Sequence, residues 1–402
     1  MSARPVPPGV PTGEPESLVV VSLEPWDEVW RRNQYLVTEL MRADPALRVL
    51  FVEPPSDLTY AALRRTTPRP GRGLRPGPDL DGVGPSRLWL YEPTKTLPRR
   101  VAPHYDEHRA SRILRAARHA GLVRPTLWIN DAGVAPLLDA GLPVLYDVTD
   151  DWLAADRPPA ERERLRRDES AMLSRAGSVT VCSPALAASK GAERPAGASP
   201  VTLVTNGVDV ERYRTPAPRP HDLPPGRTAV YVGTLHSDRL DVDLCVTTSE
   251  AMDGDGTLVL VGPVALGPDD VRRLHEAGVV LLGPRPRDAV PAYLQHADLL
   301  VVPHVVDAFT DSLDPIKLYE YLAVGRPVVS TPVAGFRDAG RTVDVAKGDG
   351  FADAVVAVVQ APRVASVAAP DDLPTWDRQS ALFRTALDDA RSATNGPGAA
   401  GS

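Results

Sequence analysis

The chain has 402 residues, of which 43% are hydrophobic and only 5% aromatic, and its formal net charge is −7. That length suits two domains whose cores must be filled mainly by leucine, valine and alanine. The acidic balance argues against broad nucleic-acid binding, which needs a basic footprint.

In chain order, Met1 to Glu16 is polar and proline-rich, so residues 1–16 are expected to be a disordered tail and not a signal peptide. Strands are predicted over Leu18–Leu23, Val49–Glu53, Ser86–Tyr91, Thr126–Asn130, Pro143–Asp147, Ser178–Cys182 and Val201–Thr205. They continue over Thr228–Gly233, Leu258–Gly262, Val279–Leu282, Leu299–Pro303 and Pro327–Thr331. Many of these runs lack strict alternation, the pattern of strands buried on both faces. Helical patterns separate them, as in Trp30–Arg42, His104–Ala120, Arg157–Arg175 and Ile316–Val324. Strand–helix alternation of this length predicts an α/β protein with doubly wound parallel sheets. Ser56–Pro85 is rich in Gly and Pro and reads as a long irregular insertion.

Lys190–Pro200 is rich in Ala, Gly and Pro, and the strand pattern restarts beyond it. A domain over 17–190, a second over 200–375, a helix over 376–392 crossing back to the first, and a disordered tail over 393–402 are therefore expected. No run of 18 apolar residues occurs, so no segment is expected to span a membrane. Cys182 and Cys245 form no framework and read as buried thiols of a cytoplasmic protein. Asp, Glu and His do not cluster at metal-ligand spacing, so no metal is expected. The basic residues are 41 Arg and 4 Lys, so a lysine here is less often casual filler.

The turn after the first strand, Ser22 to Asp27, has no glycine, and no P-loop pattern occurs anywhere, which disfavours a nicotinamide enzyme and a P-loop NTPase. The richest window is Asp298–Pro332: a buried strand, a polar loop, a helix, then Gly325-Arg326-Pro327 and another strand. Asp314 suits an N-cap and Pro315 the first helical turn. The amides of that turn would face out of the strand ends, where a diphosphate is the natural anion. Lys317 would add a point charge. Glu320, on the same helix face, would accept hydrogen bonds from ribose hydroxyls.

This window resembles the donor-binding motif of GT-B glycosyltransferases, the family-four-like group 1 enzymes with a Glu-x7-Glu motif. Glu320, followed by Tyr321 to Val329, is similar to the second glutamate and its tail, which implies ribose binding. Ser312 stands where the first glutamate would be, with Asp311 beside it and Leu313 after it. The pattern from Ser312 to Tyr321 is similar to that of a subgroup acting in teichuronic-acid synthesis. Asn206 to Tyr213 resembles the family's Asn-Gly-Val-Asp step. Tyr231-Val232-Gly233-Thr234 resembles the glycine turn near donor phosphate, Arg239 falls near the place of a phosphate-gripping lysine, and Leu281 to Arg285, with Gly283, matches the loop framing the base. Tyr146 to Trp152 looks like the subgroup's Tyr-Asp-x-x-Asp-Asp-Trp.

The resemblance implies a GT-B fold, a nucleoside-diphosphate sugar donor (UDP, GDP or dTDP left open), no other cofactor, and retention at the anomeric carbon without metal. Donor contacts are expected from Gly233, Thr234, Gly283, Arg285, Asp311, Ser312, Leu313, Lys317 and Glu320. Catalytic roles are expected for Asp150, Lys317 and Arg239. Acceptor contacts are expected from Trp26, Asn130, Asp131 and Asp150, the acceptor being a small molecule, a lipid-linked compound or a glycan. Each has a plainer reading: Asp147, Asp150 and Asp151 can cap the following helix, and Trp26 can be core. The basic run Lys95–His119 reads as a solvated face or a peripheral contact with the inner face of a membrane. A non-catalytic nucleotide-sugar-binding partner protein and a glycerol-phosphate transferase of the same fold are the alternatives. Oligomeric state stays open.

Overall fold

The computed structural model describes residues 16–63, 66–155, 157–340 and 343–395. The first unit is an eight-stranded sheet. From one edge its strands are Thr202–Leu203, Ser178–Val181, Val144–Val148, Thr126–Ile129, Ser17–Val21, Arg48–Val52, Leu88–Glu92 and Gly73–Pro76, the last antiparallel and the rest parallel. The second unit is a six-stranded parallel sheet ordered Val280–Gly283, Thr257–Val261, Thr228–Val232, Leu299–Val302, Val328–Ser330 and Val343–Val345. Each sheet carries an apolar core on both faces, which explains its near-continuous hydrophobic strands. Every strand expected from the sequence is present, with ends displaced by no more than two residues.

The Ser56–Pro85 segment is more ordered than expected. It holds a helix, Leu58–Leu63, and the antiparallel edge strand Gly73–Pro76. Ion pairs, not apolar alternation, fasten that strand. Arg75 and Arg72 reach the buried Glu53, and Arg72 also reaches Glu92. A Cβ at Gly71 would lie 2.5 Å from the Glu92 carbonyl oxygen, so the chain passes there only as glycine.

The boundaries also move. Thr202–Leu203 pairs with Thr180–Val181 in the first sheet, so the chain leaves that domain a few residues beyond the expected 190–200. Glu16, assigned to the tail, is held by Arg384 and Arg391. Residues 1–15 lie outside the described residues. At the other end the helix Trp376–Asn395 outruns the expected 376–392, and 396–402 lie outside the described residues. This helix does return to the first domain, where Trp376 stacks on Tyr35 at 4.5 Å and Phe383 packs on Trp128. The outgoing and returning strands of chain touch, since Val208 N–H donates to Pro374 O. A Cβ at Gly207 would meet Thr375 at 2.9 Å.

Candidate active site

The loops at the carboxyl ends of the two sheets converge between the domains. Asp147 ends its strand fully buried, and its carboxylate takes a two-point ion pair from Arg32 plus hydrogen bonds from Trp128, Asn130 and Thr180. Arg32 continues to the Thr205 carbonyl and to Asn206. The backbone N–H of Asn206 donates to the Asp314 carboxylate and its side-chain amide to the Asp314 carbonyl. One polar chain thus ties the first sheet to the start of helix Ile316–Val324. Asp314 is therefore not the expected N-cap. Its carboxylate also accepts from Tyr319, and Pro315 occupies the cap position without a side-chain bond. The amides of the first turn stay uncapped by any side chain, as an anion site needs.

Lys317, in that turn, lies over the Tyr231 ring, with Nζ 2.9 Å from the Tyr231 hydroxyl and 3.3 Å from His304 Nε2. Among the described residues no carboxylate pairs with it. Burial, aided by Arg239, lowers its pKa to about 7. Gly233 lies against the same group: a Cβ there would stand 2.8 Å from the Tyr231 hydroxyl and 3.0 Å from Nζ. Glu320, one turn on, accepts from Tyr213 Oη at 2.5 Å, and burial pushes its carboxyl up. Arg287 lies near Glu320 and stacks its guanidinium on Trp30 at 3.9 Å and Tyr35 at 4.8 Å, across the domain boundary.

Asp150 crosses the cleft to Arg239 at 3.1 Å, and Arg239 also stacks on Phe309. Burial raises the Asp150 pKa while Arg239 opposes that rise. Glu24, half-exposed at the rim of the first domain and paired with Arg31, faces Asp150 and Arg239. Lys317, Arg239, His304, Asp150 and Glu24 therefore gather where the two sheets meet.

Other expected site residues are committed elsewhere. Ser312 is buried at the domain interface: its hydroxyl donates to Phe309 O and accepts from Asp151 N–H, while its carbonyl accepts from Ser183. Asp311 is drawn to Arg337. Arg285 is held by Asp222 and Tyr293. Gly283 ends its strand at φ 74°, where its carbonyl accepts from Gly262 N–H, and Thr234 and Leu313 are half-buried at the cleft edge.

The residues expected at the acceptor side are not all brought together. Trp26 is core, packed on Phe51 at 5.0 Å. Asn130 is spent on Asn33 and Asp147, and Asp131 on Arg109 and Gly133. Only Asp150 of that set reaches the cleft. Part of the basic run is paired, through Lys95–Asp57, Arg99–Asp106 and Arg109–Asp131. Sequence reasoning missed Glu24, Tyr213, Tyr231, Arg287 and His304. Tyr213 and Tyr231 sit inside recognised motifs, but nothing local marks the others. Among the described residues no group of three or more His, Cys, Asp or Glu is arranged to hold a metal, and no helix is long and apolar enough to cross a membrane.

Two doubly wound domains that face each other across a cleft, with a returning C-terminal helix, define the GT-B class. Residues 226–361 match the family described as glycosyl transferases group 1. The chain is 28% identical over 200 residues to the putative teichuronic acid biosynthesis glycosyltransferase TuaH of Bacillus subtilis, a match over 47% of this chain and 50% of that protein. The matched stretch thus spans half the length of that relative. The fold is shared with a trehalose-6-phosphate protein from E. coli bound with UDP-2-fluoro glucose (TM-score 0.61, 10% identity, 94% of this chain and 97% of that one). It is shared as well with Anabaena Alr3699/HepE in complex with UDP-glucose (TM-score 0.57, 13% identity, 94% of each chain).

Proposed function

We propose that this protein is a glycosyltransferase that moves a sugar from a nucleoside-diphosphate sugar to a hydroxyl or amine acceptor. The observation that carries the reading is Lys317, a lysine with no ion-paired acid among the described residues, set against Gly233 at an uncapped helix start, one turn before Glu320. The diphosphate would lie on the first-turn amides and Lys317, with Arg239 turning toward it from Asp150. The ribose would take the Glu320 carboxylate from Tyr213. These cations meet the charge that develops on the leaving diphosphate, which is the main catalytic demand of the reaction. The reading is metal-independent, because Lys317 and Arg239 supply the positive charge. It is also retaining, with the departing phosphate taking the acceptor's proton on the same face.

UDP is the favoured nucleotide, since the solved neighbours named above hold UDP-sugars. The acceptor side comprises Asp150 and Glu24. Bacterial cell-surface glycan or secondary-metabolite synthesis in the cytoplasm, with peripheral contact to the membrane's inner face, is the setting we favour from the likeness to TuaH. The test is transfer or slow hydrolysis from a panel of UDP-, GDP- and dTDP-sugars, with and without EDTA. Turnover from one class, unaffected by EDTA, is expected. Tight binding without turnover would instead favour a non-catalytic nucleotide-sugar-binding partner, and turnover of a cytidine nucleotide alone a glycerol-phosphate transferase.

A further inference from the structure

His304 follows the strand Leu299–Val302 and is almost wholly buried, at 3% exposure. Burial, with Lys317 and then Arg239 adding to the effect, holds its pKa well below the usual value, so the ring is neutral. One nitrogen, Nε2, lies 3.0 Å from the Tyr231 hydroxyl. The other, Nδ1, has no hydrogen-bond partner among the described residues, and the ring lines a cavity of about 400 Å³ together with Asp241, Thr331 and Lys347. Lys317 Nζ also lies 3.3 Å from Nε2, and because an ammonium can only donate, the tautomer that suits it carries its proton on Nδ1 and leaves Nε2 as the acceptor.

That choice sets the direction of the next bond. Tyr231 has one hydroxyl proton, and two groups lie within reach of it: His304 Nε2 and Lys317 Nζ. If the proton goes to His304, the Tyr231 oxygen turns its lone pairs to Lys317 and accepts from it, as an ammonium needs. Without His304 the remaining neighbour within reach of the hydroxyl is the lysine nitrogen, which can accept only when it has lost its charge, so the orientation that favours the ammonium is no longer fixed. The same triangle depends on Gly233, whose missing side chain leaves room for both the hydroxyl and the amine. The other charged groups facing Lys317 are Arg239, which opposes its charge, and Glu320, which favours it.

We propose that His304 is a positioning residue for Lys317: it orients the Tyr231 hydroxyl so that the lysine is held as a cation, facing the diphosphate. The role of the lysine rests on the reading given above under Proposed function, but its charge state can be measured without any ligand. The chain has only four lysines, so protein labelled with ¹³C-lysine gives few Cε resonances, and Lys317→Met assigns the one required.

Titrated by NMR, His304→Leu is expected to lower the Lys317 pKa by about one pH unit, the size of one hydrogen bond to a charged group. His304→Gln, whose amide oxygen also accepts, should restore it. Tyr231→Phe should also lower it, and the two changes together should lower it by less than the sum of the single drops, so the proposal stays testable if one variant misfolds. An unchanged or raised Lys317 pKa in His304→Leu and Tyr231→Phe overturns the proposal. UDP is then added to the native protein. A rise in the Lys317 pKa is expected, and its absence would refute the diphosphate site while leaving the result for His304 intact.

Discussion

Replacing Glu320 separates binding from stability in one experiment. The carboxylate accepts from Tyr213, and a bound ribose would offer it two hydroxyls. Hydrogen bonds to a charged group contribute about 1.5–3 kcal/mol each, and one of the two exchanges with the Tyr213 bond, so the net loss in Glu320→Ala is about 1.5–3 kcal/mol. That corresponds to roughly ten- to a hundredfold weaker UDP binding by calorimetry.

Stability should move the other way in Glu320→Gln, which keeps an acceptor for Tyr213. Burial raises the Glu320 pKa above its unfolded value. Its contribution to stability is therefore fully present at low pH and is lost as pH rises through the folded pKa. Near pH 7.5 the charged carboxylate is a cost, so thermal denaturation should find Glu320→Gln at least as stable as the native chain there. Its advantage should vanish toward pH 4. Unchanged UDP affinity in Glu320→Ala refutes the ribose role, and a lower melting temperature for Glu320→Gln at pH 7.5 refutes the burial argument.

Lys317→Ala should reduce turnover by about 10²–10³, more than it weakens donor binding, because the lysine acts on charge that appears late; equal losses in kcat and in UDP affinity would mean uniform binding. A double-mutant cycle between Asp150→Asn and Arg239→Gln should show coupling of about 0.5–3 kcal/mol in stability, as expected of contacting charges across the interface, and strict additivity would contradict the cross-domain pair. Asp147→Asn should destabilise by about 3–5 kcal/mol in urea unfolding, since it strands the buried Arg32, whereas an exposed acid such as Asp253 should tolerate the same change.

Much of the donor half was legible because its signal is local. Helix Ile316–Val324 was expected with the bounds it has, since Pro315 and Gly325 mark its ends within the chain. Gly233, Lys317 and Glu320 come together because each sits in or just beyond a strand end or first helical turn, and the parallel sheet brings such ends side by side. The polar residues at the strand ends of the first domain were less legible. Asn130 and Asp131 stand at a strand end, as a cleft residue would, yet Asp147 and Arg109, distant in sequence, consume their polar atoms.

From the chain alone follow two doubly wound sheets, the order of their strands along the sequence, and the helix that offers Lys317 and Glu320 to one edge. Those features depend on periodicity and on end signals within a few residues. Tertiary structure alone decided which polar groups remain free to act. Asp147, Asp150 and Asp151 are alike in sequence, but one is locked by Arg32, one crosses to Arg239 and one pairs with Lys190. A side chain's chemistry depends on which partner reaches it first, and those partners come from elements as far apart as the two domains.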